Sequence, residues 1–599
     1  MDKIPEIKLY DYYDFNEEFT EEEGDEEEGI KPKISKEYVI QMFGKDVEGK
    51  SYSIMVNGFE PYIYIKVPPN WNKKTKFLKW LKKEAKYTIN ERDDNGAMRS
   101  RDIKINDWRN EIIEKKCQFV KKQKLYGFDD KKKYKFLLIK FKNKTMFNKV
   151  QNLWYKNAND FFKKTLRDFN WDGDKLDLYE GHIPPLLRFF HVTKINPGGW
   201  ITLDDMLEED ENEETTCDYE YRVHYEDIIS LTEKEGNVPL TVMSWDGEMG
   251  SSHGDFPQAI KTYNKPAMEI VDLYKRDNTI DVKELILGAF DKNRNEQISK
   301  IYYKKGKRSE ELIKKFEKKE IDFTHYLKGK DRAFKIEQLD KFLSRMLPKI
   351  KGDGITFMGS TFVKMGEKTQ YLNHILSVGK CDDIPEVPNS KVISCKTEKE
   401  LILRWGDLIC EENPDIMIGY NIFGFDWKFI LDRCRELGCK TQLMEKISKN
   451  TEKPAIIKKM TTTLASGTHE LEYVKMYGRV QLDLLNHFRR EENLPSYKLD
   501  YVSSYFIGDK INNYEIKGKD TIIKSGNLMG IKDGDYISVE LLGHSTDMYM
   551  DGKKFEIKEV NKEEGEFKIS HELKVDTKSL RWCLNKDDIT LEEMFNGDT

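Results

Sequence analysis

The sequence predicts a multidomain protein of mixed α/β (α+β) class, and three observations carry that expectation. Its 599 residues correspond to roughly four domains at about 150 residues each. Residues 36–68, KEYVIQMFGKDVEGKSYSIMVNGFEPYIYIKVP, alternate apolar and polar side chains around Gly-Lys and Gly-Phe turns, which is the pattern of antiparallel strands. Residues 412–437, ENPDIMIGYNIFGFDWKFILDRCREL, pass from a short apolar strand at Asp415 to Gly419 into helical spacing at Phe425, Phe429 and Ile430, so strand and helix also alternate.

Composition narrows the class further. The chain is 38% hydrophobic, 12% aromatic and 35% charged. No apolar run approaches the ~18 residues of a membrane span, so a soluble globular protein is expected and a membrane is not a partner. The start, MDKIPEIKLYDYYDF, lacks the apolar stretch and small-residue site of a secretory signal, and an intracellular location is expected. Eight cysteines are too few for a disulfide scaffold, and Cys434 and Cys439 fall where helical periodicity accounts for burial; all eight read as reduced thiols without structural zinc. A net charge of -6, from 101 Lys plus Arg against 107 Asp plus Glu, still permits basic and acidic faces to segregate, so it neither requires nor forbids nucleic acid.

Along the chain, Glu17 to Glu28 is an acidic run with too little hydrophobicity to offset ordering entropy, and reads as a disordered loop. Residues 74–86 and 146–169 carry helical spacing. Residues 186–204, LLRFFHVTKINPGGWITLD, read as β-like, followed by an acidic loop from Glu208 to Glu214 and a domain boundary near residue 236. Residues 300–350 combine helical spacing with a dense lysine face, either solvated or in contact with DNA. From Gly526 to Glu572 short β runs alternate with Asp-Gly and Glu-Gly turns, the signature of hairpins.

Two segments carry chemistry. In VPLTVMSWDGEMGSSHGDFP an apolar strand from Pro239 to Trp245 ends by presenting Asp246 and Glu248 as D-x-E. Side chains two apart on a strand share a face, so both carboxylates can meet one divalent cation. In the 412–437 segment Asn421 stands at the helix start and Asp426 in its first turn. An Asp beside one strand end and a D-x-E at another can converge into the carboxylate cluster that two-metal phosphodiester hydrolysis needs. Taken alone, D-x-E reads equally as an acidic turn after a strand.

With both segments in hand, the chain resembles the family B DNA polymerases. PLTVMSWDGEMGSSHGDFP resembles their first exonuclease motif, and NPDIMIGYNIFGFD their second. GRVQLDLLNHFRREENLPSYKLDYVSSYFIGD is similar to the following segment of polymerase-delta-like enzymes. GDGITFMGSTFVKMGEKTQYLNHI, IQMFGKDVEGKSYSI and RWCLNKDDIT resemble the polymerases of giant, mimivirus-like DNA viruses. The resemblance covers nearly the whole chain.

It implies an N-terminal domain over 1–235 and a ribonuclease-H-like 3′ to 5′ exonuclease domain with a mixed sheet over 236–515, carrying a lysine-rich insertion at about 295–350. A small β-hairpin insert over 516–580 and a leading segment over 581–599 would follow. The implied activity is proofreading in DNA replication, with Mg²⁺ or Mn²⁺ as two divalent cofactors. Asp246 would bridge both ions, Glu248 would support the ion that activates water, and Asp426 would hold the ion beside the leaving 3′ oxygen. Asn421, Phe256 and Phe425 would steady a single-stranded or frayed 3′ end, with core packing the alternative for the two phenylalanines. DNA is the implied partner, with a sliding clamp by the same resemblance, in the host cytoplasm or nucleus if the source is viral.

Two departures bear on this. Trp245 and Gly247 replace the apolar residues usual around the D-x-E, and Gly247 is expected to loosen the strand. The family's third motif, Y-x-x-x-D on a helix, and its palm are expected beyond Thr599. The alternative reading is therefore a catalytically incomplete DNA-binding or assembly subunit completed by a second polypeptide. Tyr505 and Asp509 match Y-x-x-x-D in spacing but precede its expected place, while Cys583 and Leu584 stand where Asp587 and Asp588 would need a tyrosine. Calcium-loop near-matches at Asp168 and Asp291 lack the closing Glu, and His191, His253 and His487 share no ligand spacing.

Overall fold

The computed structural model describes residues 5–585 except for 22–32, 85–87, 93–97, 103–110, 125–128, 158–163, 205–213, 291–296, 465–466, 529–530, 543–545 and 576–578 and positions 252, 330, 368, 386 and 495. The chain divides into two compact units. One comprises Met1–Ile418, Phe423–Thr461 and Glu470–Gln481; the other comprises Gly419–Ile422, Thr462–His469 and Leu482–Thr599.

The first unit contains three larger sheets. The first is six-stranded, in the order Tyr219–His224, Ser51–Asn57, Lys33–Lys45, Glu6–Glu21, Trp200–Leu203, Ile228–Leu231. Alternation places Ile7, Leu9, Ile40, Met42, Ile54 and Val56 on one face, where Phe189 and Phe190 of helix Pro185–Thr193 cover them. At Gly44 a Cβ would lie 2.3 Å from the Ile7 side chain and 2.9 Å from the Lys8 carbonyl oxygen, so only glycine lets these strands approach there. The second sheet is four-stranded and antiparallel: Asp177–Tyr179, Tyr62–Lys66, Lys133–Lys140, Gln118–Gln123. Helices Lys74–Glu84 and Lys144–Asn152 pack Phe77, Leu81, Phe147 and Val150 onto one of its faces.

The third sheet is mixed, ordered Ser390–Cys395, Leu372–Val378, Gly354–Lys364, Thr241–Gly250, Ile416–Gly419, Val480–Asp483. Thr241–Gly250 is antiparallel to Gly354–Lys364 and parallel to Ile416–Gly419, which places the D-x-E strand next to the strand leading to Asp426. Residues 264–346 form a helical cluster with its own core around Ile270, Ile286, Phe316, Leu339 and Leu343. The mixed α/β class expected from the sequence is the class observed, with a β-rich N-terminal portion ahead of the mixed sheet.

The second unit contains helices Leu484–Glu491 and Leu499–Phe506 and a seven-stranded sheet spanning Gly508 to Leu584. Strand Tyr536–Leu542 pairs with both Phe555–Asn561 and Leu580–Leu584, so the sheet closes on itself around Ile523, Val539, Phe567 and Trp582. Among the described residues, no helix is long and apolar enough to cross a membrane.

Three local expectations are corrected. Residues 186–204 are not all β-like: Pro185 opens a helix with Phe189 and Phe190 buried and Lys194 closing it in the left-handed conformation (φ 59°). Residues 146–169 are not one helix; Lys144–Asn152 is followed by strands Tyr155–Asn157 and Lys164–Leu166. The acidic run begins inside strand Glu6–Glu21, where Glu18 stands opposite Lys36 across the ladder and pairs with it, as opposite charges stabilise strand pairing; residues 22–28 and the acidic loop at 208–213 lie outside the described residues.

A buried charge cluster locks the mixed sheet. Asp415, fully buried, accepts from Lys45 Nζ at 2.5 Å, Lys449 Nζ at 2.5 Å and the Thr241 N–H at 2.8 Å. Burial by itself would raise its pKa, but the two ammonium groups outweigh burial and hold it below the usual carboxylate value. Replacing Asp415 by Asn should leave two desolvated lysines uncompensated and cost about 3–5 kcal/mol in urea denaturation. Lys341→Ala, at an exposed helical pair with Glu337, should cost about 0.5 kcal/mol or less.

Asp11 gives a pH-dependent prediction. Burial pushes its carboxyl up to about 6, against the opposing hydrogen bonds from Tyr13 and from the Tyr12 N–H. A carboxyl whose pKa is raised on folding contributes stability below its unfolded pKa and loses it as pH rises through the folded value. Asp11→Asn should therefore match wild type near pH 4 and exceed it at pH 7.5, by on the order of 1 kcal/mol in urea midpoints.

Candidate active site

Along Thr241–Gly250, Met243, Trp245 and Gly247 are buried while Ser244, Asp246 and Glu248 are exposed, so the strand's period of two puts both carboxylates on one open face. Three tryptophans support it from behind. Trp245 packs 4.9 Å from Trp405 and 5.1 Å from Trp427, and those two rings lie 5.6 Å apart. Trp405 Nε1 donates to Ser360 Oγ at 3.3 Å and Trp427 Nε1 to Gln481 Oε1 at 2.7 Å. Because Trp427 immediately follows Asp426, the packing that anchors the D-x-E strand also sets the start of helix Asp426–Leu437.

Asp426 is buried in the first turn of that helix, where the dipole favours a carboxylate. Its Oδ1 lies 3.8 Å from where a Cβ on Gly247 would stand, with Met249 Cε and Met358 Sδ each 3.1 Å from the same point. The missing side chain at Gly247 lets Met249, Met358 and Asp426 close in on the buried side of the strand, opposite the face that carries Asp246 and Glu248. Gly247 does not loosen the strand: its ladder runs unbroken from Thr241 to Glu248, and the irregularity falls between Glu248 and Met249. Partial desolvation raises the Asp246 pKa, with the Gly247 N–H acting the other way.

Helix Asp426–Leu437 is pinned further by Arg433, whose buried guanidinium forks onto Glu398 at 2.8 and 2.7 Å and donates to the Ala259 carbonyl at 3.0 Å. Asp353 accepts from the Gln258 N–H at 2.9 Å and Lys261 Nζ at 2.5 Å. These bonds tether the loop that carries Phe256. Phe256 is 72% exposed and its ring centroid is 5.3 Å from that of half-buried Phe425, which in turn contacts Phe429 at 5.6 Å. Core packing therefore fails as an account of Phe256. A small cavity of about 100 Å³ lies beside it, lined by His253, Lys261, Lys265, Lys300 and Ile350 among others.

Asn421 lies in the loop before the helix, five residues ahead of its start, with a left-handed φ of 63° that asparagine tolerates. Its N–H donates at 2.9 Å to Asp483 Oδ1, which also caps helix Leu484–Glu491.

The look-alike motifs have structural explanations. Tyr505 is on a helix and Asp509 on the following strand, where it accepts from Ser525 Oγ at 3.0 Å and the Asn527 N–H at 2.8 Å. The carboxylates of the Asp168 segment pair with lysines, Asp172 and Asp174 with Lys73 and Asp168 with Lys175. His253 Nε2 lies 2.8 Å from the Lys300 carbonyl oxygen. Asp291, Asp587 and Asp588 lie outside the described residues. All eight cysteines are free thiols.

Sequence reasoning missed the positioning residues Trp405, Trp427 and Arg433. The tryptophans sit at apolar helical positions that read as generic core, and nothing in one dimension pairs Arg433 with Glu398. Asp246, Glu248 and Asp426 are hard oxygen donors of the kind Mg²⁺ and Mn²⁺ prefer, and the chemistry of the set fits those ions. Among the described residues, however, no three His, Cys, Asp or Glu side chains close into a metal cage.

The family model described as "DNA polymerase family B, exonuclease domain" matches residues 176–271 and 274–502. The chain belongs to DNA polymerase family B. Both carboxylate motifs fall within the matched exonuclease domain. Curated relatives include the DNA polymerase of Phaeocystis pouchetii virus, 32% identical over 99% of this chain and 64% of the relative, and that of Pyramimonas orientalis virus, 31% identical over 98% and 47%. The DNA polymerase delta catalytic subunit of Dictyostelium discoideum is 22% identical over 80% of this chain and 33% of its own. The chain thus spans between about half and two thirds of the length of these two viral relatives.

If Phe256 is a surface platform and Trp405 a structural anchor, their truncations should separate. Trp405→Ala should cost about 3–5 kcal/mol in urea unfolding, and Phe256→Ala about 0.5 kcal/mol or less.

Proposed function

We propose that this chain provides the N-terminal and 3′ to 5′ proofreading-exonuclease portion of a replicative DNA-directed DNA polymerase, removing 3′-terminal nucleotides from DNA. The observation that supports it most is the placement of Asp246 and Glu248 on one open strand face, on a strand that pairs in parallel with the strand leading to Asp426. Asp246, Glu248 and Asp426 would hold two Mg²⁺ or Mn²⁺ ions, which when bound supply an activated water and charge neutralisation at the leaving oxygen. The chain's own contribution is positional. The tryptophan cluster holds the carboxylates in place, and Phe256 with Phe425 offers an aromatic surface on which an unstacked terminal base can rest. Asn421 would steady the same strand end.

A second reading, a DNA-holding or assembly subunit completed by another polypeptide, is favoured by one observation: the described residues do not close a three-ligand cage. Manganese titration tests the common part of both readings. Asp246→Ala should weaken Mn²⁺ binding at least ten-fold, and equal titrations of wild type and variant would remove the metal assignment.

Single-turnover release of 3′ nucleotides from labelled single-stranded DNA in Mg²⁺ tests the rest. Release should be slow for this chain alone and rise at least 100-fold when a second polypeptide bearing a Y-x-x-x-D helix is added, because one further carboxylate completes the ion pair's coordination. Asp426→Ala should abolish the gain. Release that is fast without the second polypeptide and survives Asp426→Ala would overturn the assignment.

A further inference from the structure

The four-stranded sheet of the first unit is basic and aromatic well beyond structural need. One face is covered by its two helices; the other carries Tyr62, Tyr64, Tyr134, Phe136 and Tyr179. Cations lie over these rings: Lys122 at 4.9 Å from Tyr64, Arg188 at 4.3 Å from Tyr62, and Lys124, Lys66 and Lys132 at 4.5, 5.4 and 5.6 Å from Tyr134. At one end of the sheet is a groove of about 540 Å³ lined by six lysines (66, 121, 132, 133, 135 and 175) and Tyr134, with Asp177 also in its wall.

Three of these lysines have structural employment. Lys66 pairs with Asp177, Lys175 with Asp168, and Lys135 donates to the Trp71 carbonyl at 2.7 Å. Lys121, Lys132 and Lys133 are exposed and have no carboxylate partner among the described residues. Lys121 stands directly opposite Lys135 in the ladder, a like-charge pairing that destabilises a sheet. An uncompensated cationic rim beside half-buried Tyr134 offers phosphates a counter-charge and an unpaired base an aromatic contact, the two elements by which single strands are held without sequence readout.

We propose that this groove is a second nucleic-acid site, taking a single-stranded polynucleotide away from its 3′ end. Lys121, Lys132 and Lys133 would contact phosphates and Tyr134 a base. A strand's interior has stacking surfaces on every base, whereas a duplex presents its bases already stacked, so single strands should be preferred.

Circular single strands test this independently of the exonuclease site, because a circle has no 3′ end. Binding of the full chain to fluorescent 30-nucleotide circles of oligo-dT and of oligo-U is followed by anisotropy in EDTA, so that no hydrolysis occurs. Lys121→Glu/Lys132→Glu/Lys133→Glu should weaken binding at least ten-fold. The corresponding Gln triple should lose less, and should lower the slope of log affinity against log salt by about 2, the value for three lost single-strand phosphate contacts. Lys314→Glu/Lys315→Glu/Lys318→Glu, on the exposed helix Lys307–Lys318, makes the same change in net charge and should stay within two-fold of wild type. The circle bound more tightly identifies the sugar. Unchanged affinity in the groove triples, an equal loss in the helix triple, or equal competition by circular duplex or long-chain polyphosphate would overturn the proposal.

Discussion

The mixed sheet depends on one buried carboxylate. Asp415 sits at the entrance to strand Ile416–Gly419 and accepts the N–H of Thr241, the first residue of the D-x-E strand, while Lys45 from the N-terminal sheet and Lys449 close on its two oxygens. Removing a carboxylate and two ammonium groups from water is costly, and the arrangement persists because every oxygen is paired at short range. Its effect is register. A strand slipped by one residue would carry Asp246 and Glu248 to the buried face, and the Thr241 bond to Asp415 holds that slip in check.

From that clamp the site is built outward by packing. The Trp245, Trp405 and Trp427 rings join the strand to the two helices behind it, and Arg433 joins one of those helices to Glu398 and to the Ala259 carbonyl near the Phe256 loop. The carboxylates are consequently held by rigid elements, while the aromatic that faces solvent is held by a tethered loop. That division suits the proposed exonuclease site, in which ligand geometry must be exact to fractions of an ångström and the strand end would be accommodated whatever its base.

Basic character is distributed in a way the net charge of -6 hides. In the first sheet Lys36 stands opposite Glu18 across the ladder and pairs with it. Lysines of the four-stranded sheet face one another or tyrosine rings. The same residue type is therefore paired at some positions and unpaired at others, and the partners each lysine meets in the fold distinguish the two.

The sequence by itself determined the mixed α/β class, the D-x-E on a strand, and the strand-to-helix passage into Asp426, because each is written in a local period of two or 3.6 residues. It misjudged residues 186–193, where a β-like apolar run is a helix opened by Pro185, since a short apolar run satisfies either period until its neighbours choose the face to bury. Tertiary structure alone decided that two methionine side chains and Asp426 close in over Gly247, that Phe256 is exposed rather than core, and that Asp509 accepts the Asn527 N–H while its spacing imitates a catalytic motif. Each of these is a relation between residues from different elements. A hydrophobic pattern records which side of its own strand or helix a residue occupies, but not what another segment places opposite it.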